Sequence, residues 1–157
     1  MESVDLVIVG AGWHGLAALK TYRQVHPTAT IVLLDSASSV GGVWATQRLY
    51  PGLKSNNMLG TYEYSDFPMD ASFGVQPGDH IPGEVVHSYL QRYVDHFGLM
   101  PCIRLDTAVT VIERVDGDGD GDGDGDGGWE TIQTQPQPQP QPQPPKSTPP
   151  NSSSPRV

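Results

Sequence analysis

Basic residues, cysteines and long apolar runs are all scarce in this chain of 157 residues. Its nine lysines and arginines form no cluster, so the sequence predicts neither a nucleic-acid surface nor a surface for anionic membranes. The single cysteine, Cys102, excludes an intrachain disulfide and favours a reducing compartment. The apolar run that follows Asp5 is too short for a signal peptide or a membrane span. We therefore expect a soluble, cytoplasmic protein.

The composition of the later part of the chain leaves few residues that could build a core. Six of the eighteen acidic residues lie in the alternating Asp-Gly stretch, and we predict a flexible connector over residues 116–128. After a possible hairpin strand over 129–134, glutamine alternates with proline, which removes amide donors and predicts a disordered tail over 135–157. Recognition of this tail by a proline-reading domain is the alternative. The folded portion is expected within residues 1–115.

Strand and helix patterns alternate at the start of the chain. Residues 5–10 form a short, branched apolar run that is typical of a buried parallel strand. Residues 13–25 have helix-compatible spacing that His26-Pro27 ends, and residues 30–35 form a second apolar run. Strand, glycine turn, helix and strand in this order begin a βαβ unit. The predicted fold class is therefore α/β, with the start of a Rossmann-like domain.

The middle of the chain is predicted to be a long loop followed by a helix and a hairpin. Residues 36–83 are rich in turn formers, and a loop of this length in a compact domain is usually functional. Residues 84–97 carry one apolar stripe, which predicts a helix capped by Gly98. Residues 102–115 alternate well enough for one or two strands, and 129–134 could pair with them.

Three glycines between the first strand and the first helix have the spacing G-x-G-x-x-G. Gly10 permits a tight turn, Gly12 lets the backbone approach a diphosphate, and Gly15 allows close packing of helix on strand. Asp35 ends the second strand, where a carboxylate accepts hydrogen bonds from both ribose hydroxyls and disfavours a 2′-phosphate. This pattern predicts a site for FAD or NAD. The alternative is a strand-to-helix turn without a ligand, with Asp35 as a plain strand end.

Other motifs in the chain carry less chemistry. Gly123, Gly125 and Gly128 repeat the same spacing, but they lie in an acidic tract that precedes no helix, so we discount them. The histidines lack metal-ligand spacing, and the Asp-Gly tract lacks the terminal glutamate of a calcium loop. We predict no metal site.

The residues after Asp35 resemble a known family. The segment GGVW at 41–44, and then YPGLKSNNMLGTYEYSDFPM, are similar to flavin-containing monooxygenases and the related Baeyer-Villiger monooxygenases, and the resemblance extends to about Trp129. It implies that the fold is the N-terminal, FAD-binding portion of such an enzyme. Gly10, Gly12 and Gly15 would then hold the diphosphate of FAD, and Asp35 the adenosine ribose.

The resemblance also implies further site residues. Gly42, Val43 and Trp44 would contact the flavin side of FAD, and Asn56 matches an asparagine that lies beside the reactive flavin carbon in that family. Turn or cap chemistry is the other interpretation of Asn56. The remaining cofactor-binding candidates lie inside the glycine turn and are Trp13 and His14, although plain solvent exposure is the favoured interpretation of His14.

The implied reaction transfers one oxygen atom from O2 to a small organic substrate, with FAD as the cofactor and NADPH as the reductant. The chain contains no second credible glycine fingerprint for NADPH. Three interpretations stay open at this point: the N-terminal part of a flavin monooxygenase, a truncated and noncatalytic FAD-binding pseudoenzyme, or a flavin reductase or amine-oxidase relative. The sequence identifies neither the substrate nor an oligomeric state.

Overall fold

A computed structural model describes residues 2–115 and 128–134. Its regular elements, in chain order, are β1 (Leu6–Val9), α1 (Trp13–Val25), β2 (Ile31–Leu34), β3 (Lys54–Met58), β4 (His80–Pro82), α2 (Gly83–His96), β5 (Ile103–Arg104), β6 (Ala108–Val115) and β7 (Gly128–Thr134). The predicted connector over 116–127 and the predicted tail over 135–157 lie outside the described residues. Gly128, which we expected to end the connector, is instead the first residue of β7.

A three-stranded parallel sheet organises the N-terminal part. Its order is β1-β2-β5, with Leu6 opposite Ile31 and Val9 opposite Leu34. All four residues of β2 are buried because this strand has a neighbour on each side. The predicted succession of strand, helix and strand is therefore present, and the fold is a mixed α/β fold with a parallel sheet.

The long segment predicted as loop contains two strands. β3 and β4 pair antiparallel, and the Gly83 amide donates to the Leu53 carbonyl over 2.8 Å next to this pair. The strand Lys54–Met58 has the sequence KSNNM, and Ser55 is its only buried residue. The prediction of an irregular segment is wrong here because this strand is specified by backbone pairing and not by an alternating apolar pattern.

The helix α2 supplies much of the core. The sequence predicts an apolar stripe of Val85, Val86, Tyr89, Leu90, Tyr93, Val94 and Phe97. Five of these residues are buried, whereas Val85 and Phe97 are only partly buried. The helix begins one residue earlier than expected, at Gly83, which is also buried. Gly98 follows it with φ of +60°, and the Leu99 amide donates to the Val94 carbonyl over 2.9 Å. The prediction of Gly98 as a C-terminal cap is confirmed, since a left-handed residue at this point is favoured by glycine.

The region 102–115 forms two strands, separated at Asp106. Asp106 has φ of +51°, and its amide donates to the Ala37 carbonyl over 2.9 Å, so the chain turns between β5 and β6. β6 then pairs antiparallel with β7, the pairing that the alternating pattern predicts. Trp129 in this hairpin is 72% exposed. No helix within the described ranges is both long and apolar enough to cross a membrane.

Candidate functional site

The turn between β1 and α1 leads into a helix N-terminus that has no capping side chain. The Gly10 amide donates to the Leu34 carbonyl over 2.7 Å, and Gly10 has φ of +103°, a conformation that favours glycine. Gly12 is the N-cap of α1, no side chain caps this end, and the first turn of the helix contains no acidic residue. The first amides of α1 and its positive dipole end are therefore available to an anion.

Gly12 and Gly15 are glycines for different reasons. A Cβ atom on Gly15 would lie 1.8 Å from the Gly10 carbonyl oxygen, so helix and turn can meet only if residue 15 has no side chain. A Cβ atom on Gly12 would lie 3.5 Å from the Gly42 Cα, which is an ordinary contact, and Gly12 has φ of −86°, which any residue adopts. Nothing in the described chain requires glycine at position 12, and a ligand that approaches the backbone would require it.

A second glycine turn is attached to the first. The Gly41 amide donates to the Ala11 carbonyl over 2.8 Å, and a Cβ atom on Gly42 would lie 2.9 Å from the Gly12 Cα. Val43 projects outward and is 66% exposed, whereas Trp44 is buried and its Nε1 donates to the Tyr62 hydroxyl over 3.1 Å. The family motif GGVW therefore lies directly against the predicted diphosphate turn.

The Asp35 carboxylate lies beside the same turn. Its Oδ2 accepts a hydrogen bond from the Ala11 amide over 2.6 Å, and its Oδ1 accepts one from the Ala37 amide over 2.7 Å. A carboxylate has about four lone-pair sites, so these two bonds leave acceptor capacity on both oxygens. Asp35 also lines a cavity of about 220 Å³ together with Gly10, Ser36 and Thr107, at the carboxyl ends of β1 and β2. This is the edge of a parallel sheet where ligands bind.

A larger cavity of about 610 Å³ lies on the other side of the glycine turns. Its wall is mostly apolar and aromatic: the ring centroids of Trp13 and Tyr62 are 4.4 Å apart, and those of Trp13 and Tyr64 are 4.8 Å apart. The Tyr64 hydroxyl donates to the Trp13 carbonyl over 2.5 Å. Burial raises the pKa of the Tyr64 phenol well above its ordinary value, so this hydroxyl stays protonated in the cavity wall.

The structure brings most of the predicted site residues together around these two cavities. The larger cavity is lined by Gly12, Trp13, His14, Gly42 and Val43, and the smaller one by Gly10 and Asp35. The His14 side chain is exposed at the rim of the larger cavity, so the two interpretations of this residue are compatible.

Three predicted residues line neither of these two cavities. Gly15 and Trp44 are internal packing elements of the two turns. Asn56 is exposed and lies inside β3, not in a turn or at a helix cap. The described cavities therefore do not include the residue that we predicted beside the reacting atoms.

Sequence reasoning missed several lining residues, and those with large polar or aromatic side chains are Arg48, Tyr62 and Tyr64. Arg48 ends a short 3-10 turn over Thr46–Arg48, and it lines both cavities. It is a lone cation in a loop, which no spacing rule singles out. Tyr62 and Tyr64 alternate along the chain, and this signal could have indicated that both rings lie on one side. In the described ranges, no group of three histidine, cysteine, aspartate or glutamate side chains could hold a metal ion.

Comparison with known proteins identifies the family of this chain. The family model described as flavin-binding monooxygenase-like matches residues 4–139. This chain belongs to the flavin-binding monooxygenase-like family. An FAD-dependent monooxygenase of Pyrenophora dematioidea is 47% identical over 110 residues, which cover 70% of this chain and 20% of that protein. The family membership confirms the resemblance that the glycine turns and the GGVW segment indicated.

Solved structures of monooxygenases are similar as well. The open crystal structure of cyclohexanone monooxygenase matches 85% of this chain and 24% of its own length, with 26% identity and a TM-score of 0.64. An oxidised steroid monooxygenase bound to NADP matches 73% of this chain and 21% of its own length, with 32% identity and a TM-score of 0.58. The chain thus spans between a fifth and a quarter of the length of these relatives.

Proposed function

We propose that residues 1–115 are the Rossmann-like, FAD-binding portion of an FAD-dependent monooxygenase, with the segment 129–134 as its hairpin strand. The whole enzyme would use NADPH and O2 to transfer one oxygen atom to a small organic substrate. One observation carries this proposal: the Asp35 carboxylate is 2.6 Å from the Ala11 amide, so the carboxylate and the glycine turn form one continuous surface. The names of the relatives, which are FAD-dependent monooxygenases, support the same function.

The residues of this surface fit FAD part by part. Asp35 would accept the hydroxyls of the adenosine ribose in the smaller cavity, and the amides at the start of α1 would bind the diphosphate across Gly12. The larger cavity has aromatic walls suited to a flat ring system, and Val43 lies at its edge. Bound FAD would supply the electron transfer and oxygen chemistry, and the chain would position it and exclude water.

We keep Asn56 as the candidate residue for the reacting end of the flavin. An amide side chain can donate and accept hydrogen bonds without titrating, so it could hold a proton in place across a wide pH range. Asn56 is exposed on β3, where the remainder of a longer chain or a substrate could reach it.

A second candidate function is FAD binding without catalysis. The apolar strand β1 lies at the edge of the described sheet, and Val9 in this strand is 55% exposed. An uncovered apolar edge is typical of an incomplete sheet. The chain also offers one credible glycine fingerprint and no second one for NADPH. We therefore propose that this chain on its own binds FAD and does not oxidise NADPH. A cytoplasmic location is proposed only from its single cysteine.

A titration of the purified chain separates these functions. We expect FAD to bind with quenching of its fluorescence, ADP to compete with it, and added NADPH to leave the flavin absorbance unchanged. Absence of both FAD and ADP binding would overturn the proposed site. Steady NADPH oxidation with an oxygenated product would show that this chain alone is a complete enzyme. Bleaching of the flavin by an amine would instead favour an amine-oxidase relative.

A further inference from the structure

Arg48 is the one residue that the two described cavities share. It lies at the end of the turn Thr46–Arg48, with the Asp35 cavity on one side and the aromatic cavity on the other. A ligand that occupies both cavities must pass this side chain. No other residue in either lining carries a permanent positive charge, because the remaining members are apolar or polar apart from Asp35 and His14.

The Arg48 guanidinium forms few hydrogen bonds within the described part of the chain. Its Nη1 donates to the Gly42 carbonyl over 3.2 Å, and within residues 2–115 and 128–134 it forms no ion pair. The Arg48 side chain is exposed, yet the bond to Gly42 holds it against the glycine turn that contacts Gly12. A guanidinium has five N–H donors in a planar fork, so most of its donors remain available to a ligand.

The charges around the turn favour an anion between the two cavities. The start of α1 contributes about half a positive charge, whereas a diphosphate carries about two negative charges. Arginine binds phosphate oxygens with two parallel hydrogen bonds, which are stronger than bonds between neutral groups. We propose that Arg48 binds the diphosphate of FAD from the side opposite the α1 amides, and thereby selects ligands that contain a diphosphate. This inference rests on the proposed function.

Substitution of Arg48 with a matched control tests the proposal. Arg48→Gln removes the charge, and Arg48→Lys keeps it without the fork. Arg23→Gln is the control, because the Arg23 Nη1 also donates to a backbone carbonyl, that of Gly98 over 2.7 Å, but lies in the last turn of α1, away from both cavities. The measurements are equilibrium titrations with FAD, ADP and adenosine, together with thermal unfolding of each ligand-free variant.

We expect Arg48→Gln to lower the affinity for FAD and for ADP about tenfold or more, since one charge-assisted contact to phosphate is lost. The affinity for adenosine should stay within about twofold of the wild-type value. Arg48→Lys should lose less affinity for FAD and ADP than Arg48→Gln does. Arg23→Gln should bind all three ligands with wild-type affinity. If the Arg48→Gln variant does not fold, the Arg48→Lys variant tests the proposal in its place. Its affinity for ADP is expected to be lower than that of Arg23→Gln.

Two results would overturn the role of Arg48. One is FAD and ADP binding by folded Arg48→Gln with wild-type affinity, and the other is an equal loss for adenosine and ADP, which would indicate a collapsed cavity. Either result would leave the proposed function intact, provided that the wild type binds FAD. Failure of the wild type to bind FAD and ADP would overturn both proposals.

Discussion

Gly15 faces Gly10 so closely that a Cβ atom on Gly15 would lie 1.8 Å from the Gly10 carbonyl oxygen. No side-chain movement can relieve this contact, because the opposing atom belongs to the backbone. The first turn of α1 and the end of β1 therefore share one position that only glycine can occupy. The same contact fixes the direction in which the α1 amides point.

Gly15→Ala is expected to destabilise the fold. The added methyl group must push α1 away from β1, and overpacking of this kind costs about 1–3 kcal/mol or more. Urea unfolding followed by circular dichroism measures the loss. Ala18→Gly is the comparison, because it also changes one methyl group inside the same helix. Gly74→Ala is unsuitable, because Gly74 has a positive φ that alanine does not readily adopt. A midpoint for Gly15→Ala equal to that of the wild type would contradict the close contact.

Gly12→Ala is expected to separate binding from folding. Its Cβ atom meets only an ordinary contact with Gly42, so the free energy of unfolding should fall by no more than about 1 kcal/mol, the difference between glycine and alanine at an N-cap. The methyl group would occupy the space in front of the α1 amides, so FAD affinity should fall about tenfold or more. Fluorescence titration with FAD checks the binding, and unchanged affinity would show that the ligand does not approach this position.

Asp35→Asn is expected to weaken both FAD binding and the turn. One of the two backbone bonds to Ala11 and Ala37 loses its acceptor, at a cost of about 1–2 kcal/mol of stability. Asp5→Asn is the matched control. The Asp5 carboxylate also accepts from a backbone amide, that of Thr30, but at the opposite end of β1 and β2. FAD affinity measured by titration should fall in Asp35→Asn only, and an equal fall in both variants would contradict a ribose contact.

High pH is expected to unfold the chain through its buried phenols. Burial raises the pKa of Tyr89 to about 12 and that of Tyr93 to about 12, against an ordinary value of 10. Ionisation therefore favours the unfolded state, so this stability is complete below about pH 10 and is lost as the pH rises toward about 12. Urea unfolding at several pH values measures the slope of the free energy of unfolding against pH.

Tyr89→Phe provides the control for the pH dependence. The Tyr89 hydroxyl donates to the Phe67 carbonyl over 2.5 Å and accepts from the Tyr64 amide over 2.7 Å. Its removal leaves two backbone groups without these partners, which costs about 1–3 kcal/mol near neutral pH. The slope above pH 10 should then become shallower. An unchanged slope would show that Tyr89 does not contribute to alkaline unfolding.

The sequence predicted the helices and strands that are specified by a local pattern of residues. The βαβ start follows from two apolar runs and a glycine turn, and the helix α2 follows from its single apolar stripe. The β3–β4 pair was missed because the polar strand Lys54–Met58 is stabilised by its partner strand and carries no pattern of its own.

The candidate site was predictable in part for the same reason. Gly10, Gly12 and Asp35 belong to a fingerprint with fixed spacing, so their grouping followed from the chain alone. Arg48 reaches both cavities only because the two glycine turns pack together through the bond between Gly41 and Ala11. Contacts between segments of this kind depend on tertiary packing and leave no periodic trace in the sequence.

The pair of backbone bonds to Asp35 has a consequence for the rate and strength of nucleotide capture. Both carboxylate oxygens are already oriented by the amides of Ala11 and Ala37. If Asp35 binds a ribose as proposed, the sugar would meet an ordered acceptor, and little rotamer freedom would be lost when the complex forms. Such preorganisation would reduce the need for a closing movement when a nucleotide binds.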